Sequence, residues 1–316
     1  MKNINDLLKI YNVEKEGNYY WKQDKDFIGS DIKVVFPYGL LHNDTMVTSV
    51  YFELLIDVLS LNYNHAHYSY SMGANYTLVN IRVFETKHTG TALMVLWNAI
   101  NNFEKYIEQH MKNPIIEQVI NSYPEDLTQD FQYIKGLKEA CDNTKEKTFS
   151  NKFLLEGSLR TAASIILEDT AYVFYQGAEK IDYMNRYEKE FLIPEIEYDL
   201  EKIEKEKFLI EFDKWEDITL LREVLHSTGY FRTRIKIFNN KLFLIFDNPK
   251  EEAKKCLEMM NDKLELIFDE QNTNPLMSYI NFNFNNIINN YKKDISYIVN
   301  SFLSNGYAFE DIEEAV

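Results

Sequence analysis

Two histidines separated by one residue, His65 and His67, form the most metal-like local pattern in this chain. In a β-strand, residues i and i+2 project from the same face, so two imidazoles at this spacing could bind one metal ion. A catalytic zinc ion needs a third protein ligand, for which His42 and Glu53 are candidates. The other interpretation is that both histidines are solvated surface residues beside tyrosines. A metalloenzyme that uses His65 and His67 is therefore one hypothesis for the function.

Other catalytic signatures are missing from the sequence. It contains no C-x-x-C, H-x-x-H or H-x-x-E-H pattern and no G-x-S-x-G turn for a nucleophilic serine. It has no glycine-rich loop for phosphate, since Gly73 stands alone in its segment. Cys141 lies in a charged helical pattern, whereas Cys256 lies on an apolar stripe that favours a buried structural thiol. Apart from the zinc ion considered above, the sequence predicts no cofactor and no complete catalytic site.

The charge of the chain is strongly acidic. The 50 Asp and Glu residues against 34 Lys and Arg give a formal net charge of −16. Nucleic-acid binding needs clustered basic residues, so no nucleic-acid partner is expected, whereas a basic peptide would suit this charge. The sequence has two cysteines, no signal-peptide core and no apolar run of about 18 residues. We therefore expect a cytoplasmic protein without a disulfide framework or a membrane partner.

One apolar pattern occurs twice in the chain. Residues 84–114 align without a gap on residues 245–275, an offset of 161 positions (245 − 84 = 161). The repeated stripe has i, i+3, i+4, i+7 spacing, which is typical of one face of an amphipathic helix. Because each stripe follows an apolar strand pattern and ends at Asn-Pro, the repeat predicts a duplicated strand–helix–helix unit. The stripe consists of Ala92, Val95, Leu96, Ala99, Phe103, Tyr106 and Ile107 in the first copy, and of Ala253, Cys256, Leu257, Met260, Leu264, Ile267 and Phe268 in the second.

Helix and strand patterns alternate in both halves with the spacing of hairpins. This predicts an α+β fold with two related units, each a small, mostly antiparallel sheet covered by helices, joined by a helical connector. The predicted domains are residues 1–150, a mostly helical connector at 151–205, and residues 206–316. Strands are predicted at residues 31–38, 75–85, 209–215, 230–238 and 241–247, with a strand entry or a polar loop at 62–70. Helices are predicted at about 45–61, 91–110, 217–226 and 250–269.

Residues 39–46 read GLLHNDTM and resemble the G-L-x-H-x-x-E-H segment of the pitrilysin/insulinase-type zinc peptidases. Those enzymes are built from repeated α+β domains that close on peptides. In this resemblance His42 stands at the first zinc ligand, Thr45 replaces the catalytic Glu and Met46 replaces the second His, while Glu117 follows at about the spacing of the acidic ligand. A threonine cannot act as the general base at neutral pH, and methionine is a poor zinc ligand beside imidazole. The resemblance therefore implies a degenerate, non-catalytic member.

Two further stretches are similar to the same family. Residues 73–77 read GANYT and resemble the N-A-x-T strand that follows the zinc helix. Leu221-Arg222-Glu223, followed by Gly229-Tyr230, resembles the L-R-E…G-x-x-Y region of the second domain, where an arginine and a tyrosine help to hold the substrate backbone. The resemblance therefore implies that Arg222 and Tyr230 bind peptide.

The function implied by the resemblance is that of a non-catalytic subunit in peptide or precursor processing. It would bind an extended peptide at a sheet edge and pair with an active zinc peptidase, or with a second copy of itself. Two alternatives to this function stay open. One is a stand-alone interaction or structural protein of a phage or mobile element, and the other is the metalloenzyme with His65 and His67. Zinc that is lost on mutation of both histidines would favour the metalloenzyme, and self-assembly or an unrelated partner would favour the structural protein.

Overall fold

The computed structural model describes residues 8–9, 11–40, 45–110, 133–135, 152–181, 196–213, 215–227, 232–238, 241–247, 249–255, 257–258, 286, 289 and 293–303. The chain divides into two compact units, the larger within Leu8–Glu197 and the smaller within Tyr198–Val316. Each unit has its own sheet and its own apolar core. The α+β fold predicted from the sequence is confirmed.

The larger unit is built on a six-stranded sheet with the strand order β1-β2-β6-β3-β5-β4. All neighbouring strands are antiparallel except β2 and β6, which run parallel. Among the described strands, β1 and β4 are therefore the two edges of the sheet. The strands are β1 (Val13–Glu16), β2 (Tyr19–Gln23), β3 (Ser30–Phe36), β4 (Ala66–Met72), β5 (Thr77–Val83) and β6 (Tyr172–Gly177).

One face of this sheet packs under helices and forms the main core. In β5 every second residue is buried, from Thr77 to Val83, as expected for a strand with one face on the core. A fully buried Val or Ile side chain of this kind contributes about 1.5–3 kcal/mol. Helix α1 packs against β4 and against the three other helices of the unit. The helices of this unit are α1 (Thr45–Asn62), α2 (Thr89–Asn101), α3 (Phe103–His110) and α4 (Lys152–Ile165).

Strand β6 corrects the expectation of a mostly helical segment at residues 151–205. All six residues of β6, Tyr172–Gly177, are buried, and the strand lies inside the six-stranded sheet between β2 and β3. A strand that is buried on both faces shows a continuous apolar run instead of an alternating pattern. Such a run cannot be distinguished from a buried helix by periodicity alone, which is why the sequence pattern was misleading here.

The smaller unit has a three-stranded antiparallel sheet with the order β7-β9-β8. Helix α6 packs on all three strands, and the residues that it buries form a separate apolar cluster with β9. None of the helices in the described part of the chain is long and apolar enough to cross a membrane. The elements of this unit are α5 (Leu200–Glu206), β7 (Phe208–Phe212), α6 (Trp215–Ser227), β8 (Thr233–Phe238), β9 (Lys241–Phe246) and α7 (Ile295–Leu303).

The first copy of the repeated stripe is a core face, as predicted. Most of its side chains are buried against the sheet, although the predicted single helix is two helices that meet at Asn102. The backbone N–H and the side-chain amide of Asn102 both donate to the carbonyl of Asn98, which closes the first helix. In the second copy, residues 250–255 are helical and Ala253 is buried like Ala92. Leu257 packs partly buried against the core of the smaller unit, whereas Cys141, Cys256, Asn239, Asn240 and the second stripe from Met260 onward lie outside the described residues.

Candidate functional site

Two of the stretches that carry the family resemblance meet in the larger unit. The backbone N–H of Leu40, on the chain that leads into α1, donates a hydrogen bond to the carbonyl of Gly73 at 3.2 Å. On the same side, the Thr77 hydroxyl donates to the carbonyl of Tyr38 at 2.7 Å. These bonds hold the turn between β4 and β5 against the chain before α1. The structure therefore brings together residues that are more than 30 positions apart in the sequence.

Gly39 allows this close approach. A Cβ atom at Gly39 would lie 2.4 Å from the backbone nitrogen of Tyr76 and 2.7 Å from both the nitrogen of Asn75 and the carbonyl oxygen of Gly73. All three of these neighbours are backbone atoms, so no side chain could move to make room for a larger residue. Gly39 thus positions the entry to α1 beside the end of edge strand β4.

Helix α1 begins at Thr45, the position that corresponds to the catalytic Glu in the resemblance. A zinc ion in the manner of that family would need ligands at His42, at position 46 and at Glu117. Residues 41–44 and Glu117 lie outside the described residues. Position 46 is a methionine, whose thioether suits zinc poorly beside imidazole and carboxylate. The residue types at positions 45 and 46 therefore do not fit a catalytic zinc site of this kind.

The histidine pair does not form the metal-binding arrangement suggested by its spacing. His65 lies in the turn before β4, and its ring stacks on that of His88 with centroids 4.2 Å apart and an angle of 8° between the planes. Stacked imidazoles direct their ring nitrogens along parallel planes, so these two rings do not converge on one ion. His67 is exposed on β4 opposite Arg82. In the described residues there is no group of three His, Cys, Asp or Glu side chains that could hold a metal.

His88 is a neighbour that the sequence pattern did not indicate. Its Nδ1 atom lies 2.7 Å from the hydroxyl of Tyr63, in addition to the stacking contact with His65. The two histidines are brought together by the end of α1 and the start of α2, and no short-range periodicity relates them. Only the pairing of β4 with β5 could have indicated their proximity.

Glu53, considered above as a third metal ligand, has a different partner. Its carboxylate accepts a hydrogen bond from the hydroxyl of Tyr70 on β4 at 2.8 Å. Burial, and then the nearby carboxylate, raise the pKa of Tyr70 above its ordinary value, so this hydroxyl remains a donor at neutral pH. The bond ties α1 to the edge strand.

The outer side of β4 offers backbone groups at the sheet edge. The N–H of Gly73 donates to the carbonyl of Tyr76 at 2.8 Å, which makes these two residues a hydrogen-bonded pair at the end of the ladder. Hydrogen-bonded and non-hydrogen-bonded pairs alternate along antiparallel strands. With the register Met72↔Thr77, residues 68, 70 and 72 therefore direct their backbone N–H and C=O groups away from β5. No other described strand pairs with this side of β4.

Arg222 and Tyr230, the two predicted peptide contacts, belong to the smaller unit. Arg222 lies on α6 and is half-buried, and its Nε atom is buried with no hydrogen-bond partner among the described residues. A buried guanidinium N–H without a partner is uncommon, because its desolvation is not compensated. Tyr230 lies outside the described residues. The structure therefore describes Arg222 and not its proposed companion, Tyr230.

The fold is similar to those of three solved structures. A protease from Helicobacter pylori is similar over 96% of this chain and 90% of that chain, with a TM-score of 0.52 and 11% sequence identity. A protein described as an M16-like peptidase from Alicyclobacillus acidocaldarius is similar over 96% of this chain and 89% of that chain, with a TM-score of 0.44 and 11% identity. A chain of complex III2 from Candida albicans covers 75% of this chain and 70% of its own length, with a TM-score of 0.45 and 9% identity.

Only the first of these similarities is high enough to show a common fold. The chain therefore has a peptidase-like fold that spans nearly all of its length. No family model matches the sequence, and no curated protein matches it.

Proposed function

We propose that this chain is a non-catalytic, peptidase-like subunit that binds an extended peptide and pairs with an active zinc peptidase in peptide or precursor processing. The proposal depends mainly on one observation, the junction at Gly39 and Gly73 that holds the entry to α1 beside the end of edge strand β4. This junction occurs within a fold that is shared with a protease. Together they support a peptide lying along β4 next to the start of α1.

The non-catalytic part of the proposal comes from the residues at the start of α1. Thr45 and Met46 occupy the positions at which the pitrilysin/insulinase-type enzymes carry the general base and the second zinc ligand. Neither side chain can do that work, because threonine does not ionise near neutral pH and thioether sulfur binds zinc weakly. The hydrolytic step would then belong to a partner subunit that carries an intact H-x-x-E-H helix.

Peptide binding is supported by the open edge of β4. An extended peptide that adds a strand there would pair with the backbone groups of residues 68, 70 and 72. The hydrogen bond between Tyr70 and Glu53 keeps the edge strand fixed to α1, so the pairing groups are already in position before the peptide binds. Backbone pairing gives little sequence preference by itself, which suits a subunit that accepts several peptides.

Arg222 is the second proposed peptide contact, in the smaller unit. Its Nε, which has no hydrogen-bond partner among the described residues, could donate to a peptide carbonyl. The role of Tyr230 comes only from the resemblance.

The first experiment is an affinity purification of the tagged full-length protein from its native cells, with mass spectrometry of what is bound. A stoichiometric partner with an intact H-x-x-E-H helix is expected. Recovery of the protein alone, or with an unrelated partner, would contradict the pairing.

The role of Arg222 has its own experiment. Peptide affinity is measured for Arg222→Ala, with Arg160→Ala as the matched control, since Arg160 is an exposed arginine paired with Glu104. We expect a loss of about tenfold at Arg222 and none at Arg160.

The edge-strand contact has a separate test. Single N-methyl groups are placed on successive amides of a bound peptide, which removes one donor at a time. Pairing with β4 predicts weakened binding at every second amide, because alternate residues of a strand face the partner edge. Equal losses at all amides, or none at any, would show that the peptide does not add a strand.

A further inference from the structure

A small cleft at the opposite edge of the six-stranded sheet combines charged side chains with unpartnered polar atoms. Its volume is about 90 Å³, and it is lined by Glu14, Lys15, Glu16, Tyr19, Trp21 and Lys180. Strands β1 and β4 are the first and last of the six strands, so the cleft is about 24 Å from the β4 edge at the usual strand spacing. It is therefore distinct from the peptide-binding edge proposed above.

The strand register gathers the acidic and aromatic side chains on one face. Glu14 is paired with Trp21 and Glu16 with Tyr19 across β1 and β2, and directly opposite residues project to the same side of a sheet. Lys15 is paired with Tyr20, and its ammonium lies over the ring of Tyr20 at 5.7 Å from the centroid.

An ammonium group already occupies this position. The Nζ atom of Lys180 lies 5.4 Å from the ring centroid of Trp21, 3.4 Å from the carboxylate of Glu14 and 3.8 Å from that of Glu16. Two carboxylates and the face of an indole ring are suitable partners for a cation. The side chain of Lys180 is 37% exposed and those of Glu14 and Glu16 are 66% and 58% exposed, so these pairs hold Lys180 only weakly.

Two polar atoms of the cleft residues are not satisfied by Lys180. Tyr19 and Trp21 are 1% and 7% exposed, and the Tyr19 hydroxyl and the Trp21 Nε1 atom are buried with no hydrogen-bond partner among the described residues. An indole N–H can only donate, and an ammonium has no acceptor to offer it. Because Trp21 lines the cleft, an oxygen acceptor bound there could supply the partner that Nε1 lacks among the described residues.

We propose that this cleft binds an α-ammonium group together with its neighbouring carbonyl or carboxylate oxygen, the chemistry shared by a peptide N-terminus and a free amino acid. The ligand ammonium replaces that of Lys180 between Glu14 and Glu16, and the ligand oxygen accepts from Trp21 Nε1. The cleft volume of about 90 Å³ is enough for an ammonium and a neighbouring oxygen, and because the cleft is open the rest of a peptide can extend out of it. Lys180 acts as an internal competitor that leaves the cleft when the ligand binds.

The test titrates the full-length protein with three probes: alanylalanylalanine amide, its N-acetylated form, and free alanine. Binding is followed by calorimetry and by the indole N–H resonance of Trp21, which is assigned by its loss in Trp21→Phe. The unblocked peptide should bind and shift this resonance, and acetylation should weaken binding at least about tenfold because it removes the charge. Free alanine that binds as well as the peptide identifies an amino-acid site, and alanine that fails to bind identifies a peptide N-terminus site.

The decisive variant is Lys180→Met, which removes the competitor and leaves the rest of the cleft intact. It should bind the unblocked probe about tenfold more tightly than the unmodified chain. Lys241→Met is the matched control, because Lys241 forms an exposed pair with Glu211 in the smaller unit. The proposal is overturned if Lys180→Met binds no more tightly, if the acetylated peptide binds equally well, or if no probe binds at millimolar concentration. Because Lys180 is partly exposed, this variant should remain folded even if Trp21→Phe does not.

Discussion

The two strand-to-helix junctions related by the 161-residue offset are held by different chemistry. In the larger unit the chain turns from β5 into α2 through uncharged hydroxyls: Thr86 donates to the carbonyl of Gly29 at 3.4 Å, and Thr89 donates to the carbonyl of Thr86 at 2.7 Å. Asp247 stands at the position equivalent to Thr86 (86 + 161 = 247). Its carboxylate accepts from Arg234 at 2.6 and 2.7 Å and from Lys207 at 3.1 Å.

Both junctions perform the same structural task. Each ties the turn after a strand to the neighbouring strands of its own sheet, and the helices that follow begin at equivalent positions, Thr89 and Lys250 (89 + 161 = 250). The apolar stripe is common to both copies, whereas the polar groups that hold the turn are not. The two turns are therefore held by different polar groups, and we expect them to differ in their sensitivity to pH and to substitution.

The largest effect is expected at Gly29, the acceptor of the uncharged junction. Gly29 has a φ angle of +75°, and an added Cβ would lie 2.1 Å from the carbonyl oxygen of Val83, a backbone atom that cannot give way. Gly29→Ala should therefore lower the free energy of unfolding by about 3 kcal/mol or more. Chemical denaturation measures this loss.

Gly90→Ala is the control for this substitution. A Cβ at Gly90, in the first turn of α2, meets no atom within 4 Å, and alanine favours a helix. It should leave stability unchanged or raise it by up to about 1 kcal/mol. Equal losses for the two variants would mean that the close approach at Gly29 does not determine the junction.

The second effect is expected at the charged junction. Asp247→Asn removes the charge that compensates two cations, Arg234 and Lys207, whose side chains are 27% and 18% exposed. The variant should lose about 2 kcal/mol of stability in the smaller unit, because a partly buried cation without its partner is costly. Hydrogen exchange of the β8 and β9 amides measures it.

Glu211→Gln provides the matched comparison. Glu211 pairs with Lys241 at 2.7 Å in the same sheet, but both side chains are about half exposed, at 46% and 54%. Exposed pairs contribute about 0–1 kcal/mol, so this variant should be nearly neutral. If Glu211→Gln lowers stability as much as Asp247→Asn, then the partly buried network of Asp247 contributes no more than the exposed Glu211–Lys241 pair.

The sequence predicted the apolar part of this comparison and missed the polar part. An apolar run located α1, helical periodicity located the stripe of α2, and apolar runs on either side of residues 239–240 located the hairpin of β8 and β9. The sequence pattern did not predict β6 or the break at Asn102. The contacts of Thr86 with Gly29 and of Asp247 with Lys207 depend on strand pairing, and no local spacing encodes them. The same holds for the stacking of His65 on His88, and for the cleft at Trp21.

The pH dependence of stability should also differ between the junctions. Burial alone would raise the pKa of Asp247, but hydrogen bonds from Arg234 and Lys207, and then their charges, lower the pKa below its ordinary value. A depressed carboxyl pKa contributes stability that is complete above the unfolded-state value of about 4 and is lost as the pH falls through the folded-state value. The hydroxyls of the larger unit do not titrate in this range, and the carboxylate in the same turn, Glu85, forms only an exposed pair with Lys87, so its contribution should be small.

Hydrogen exchange from pH 7 down to pH 3 tests this sign. The stability difference between the unmodified chain and Asp247→Asn should be constant above about pH 5 and shrink as the pH falls further. The loss at acid pH should appear at β9 and not at β5. A difference between the two proteins that does not change with pH would mean that the charge of Asp247 contributes nothing to the junction.

The last comparison lies within the hydroxyl chain of the larger unit, where the loss of Ser30 is expected to be small. Ser30 and Thr89 are fully buried, and their hydroxyl oxygens are 2.6 Å apart. Because the proton of Thr89 is donated to the carbonyl of Thr86, Ser30 must be the donor to Thr89. Ser30→Ala removes this donor and should lower the free energy of unfolding by about 0.5–1 kcal/mol. Thr89→Val leaves the buried Ser30 hydroxyl without its acceptor, so it should lower the free energy of unfolding by more, about 1–3 kcal/mol.

The double variant Ser30→Ala, Thr89→Val tests whether Thr89→Val costs more than Ser30→Ala because it leaves the Ser30 hydroxyl without an acceptor. Removing Ser30 in the Thr89→Val background eliminates the unsatisfied donor, so the double variant should be no less stable than Thr89→Val alone. Unfolding free energies of the four proteins form the cycle. If the two losses simply add, the hydroxyls act independently, and the larger unit's junction would rest on the approach of Gly29 to Val83 and not on a connected hydrogen-bond chain.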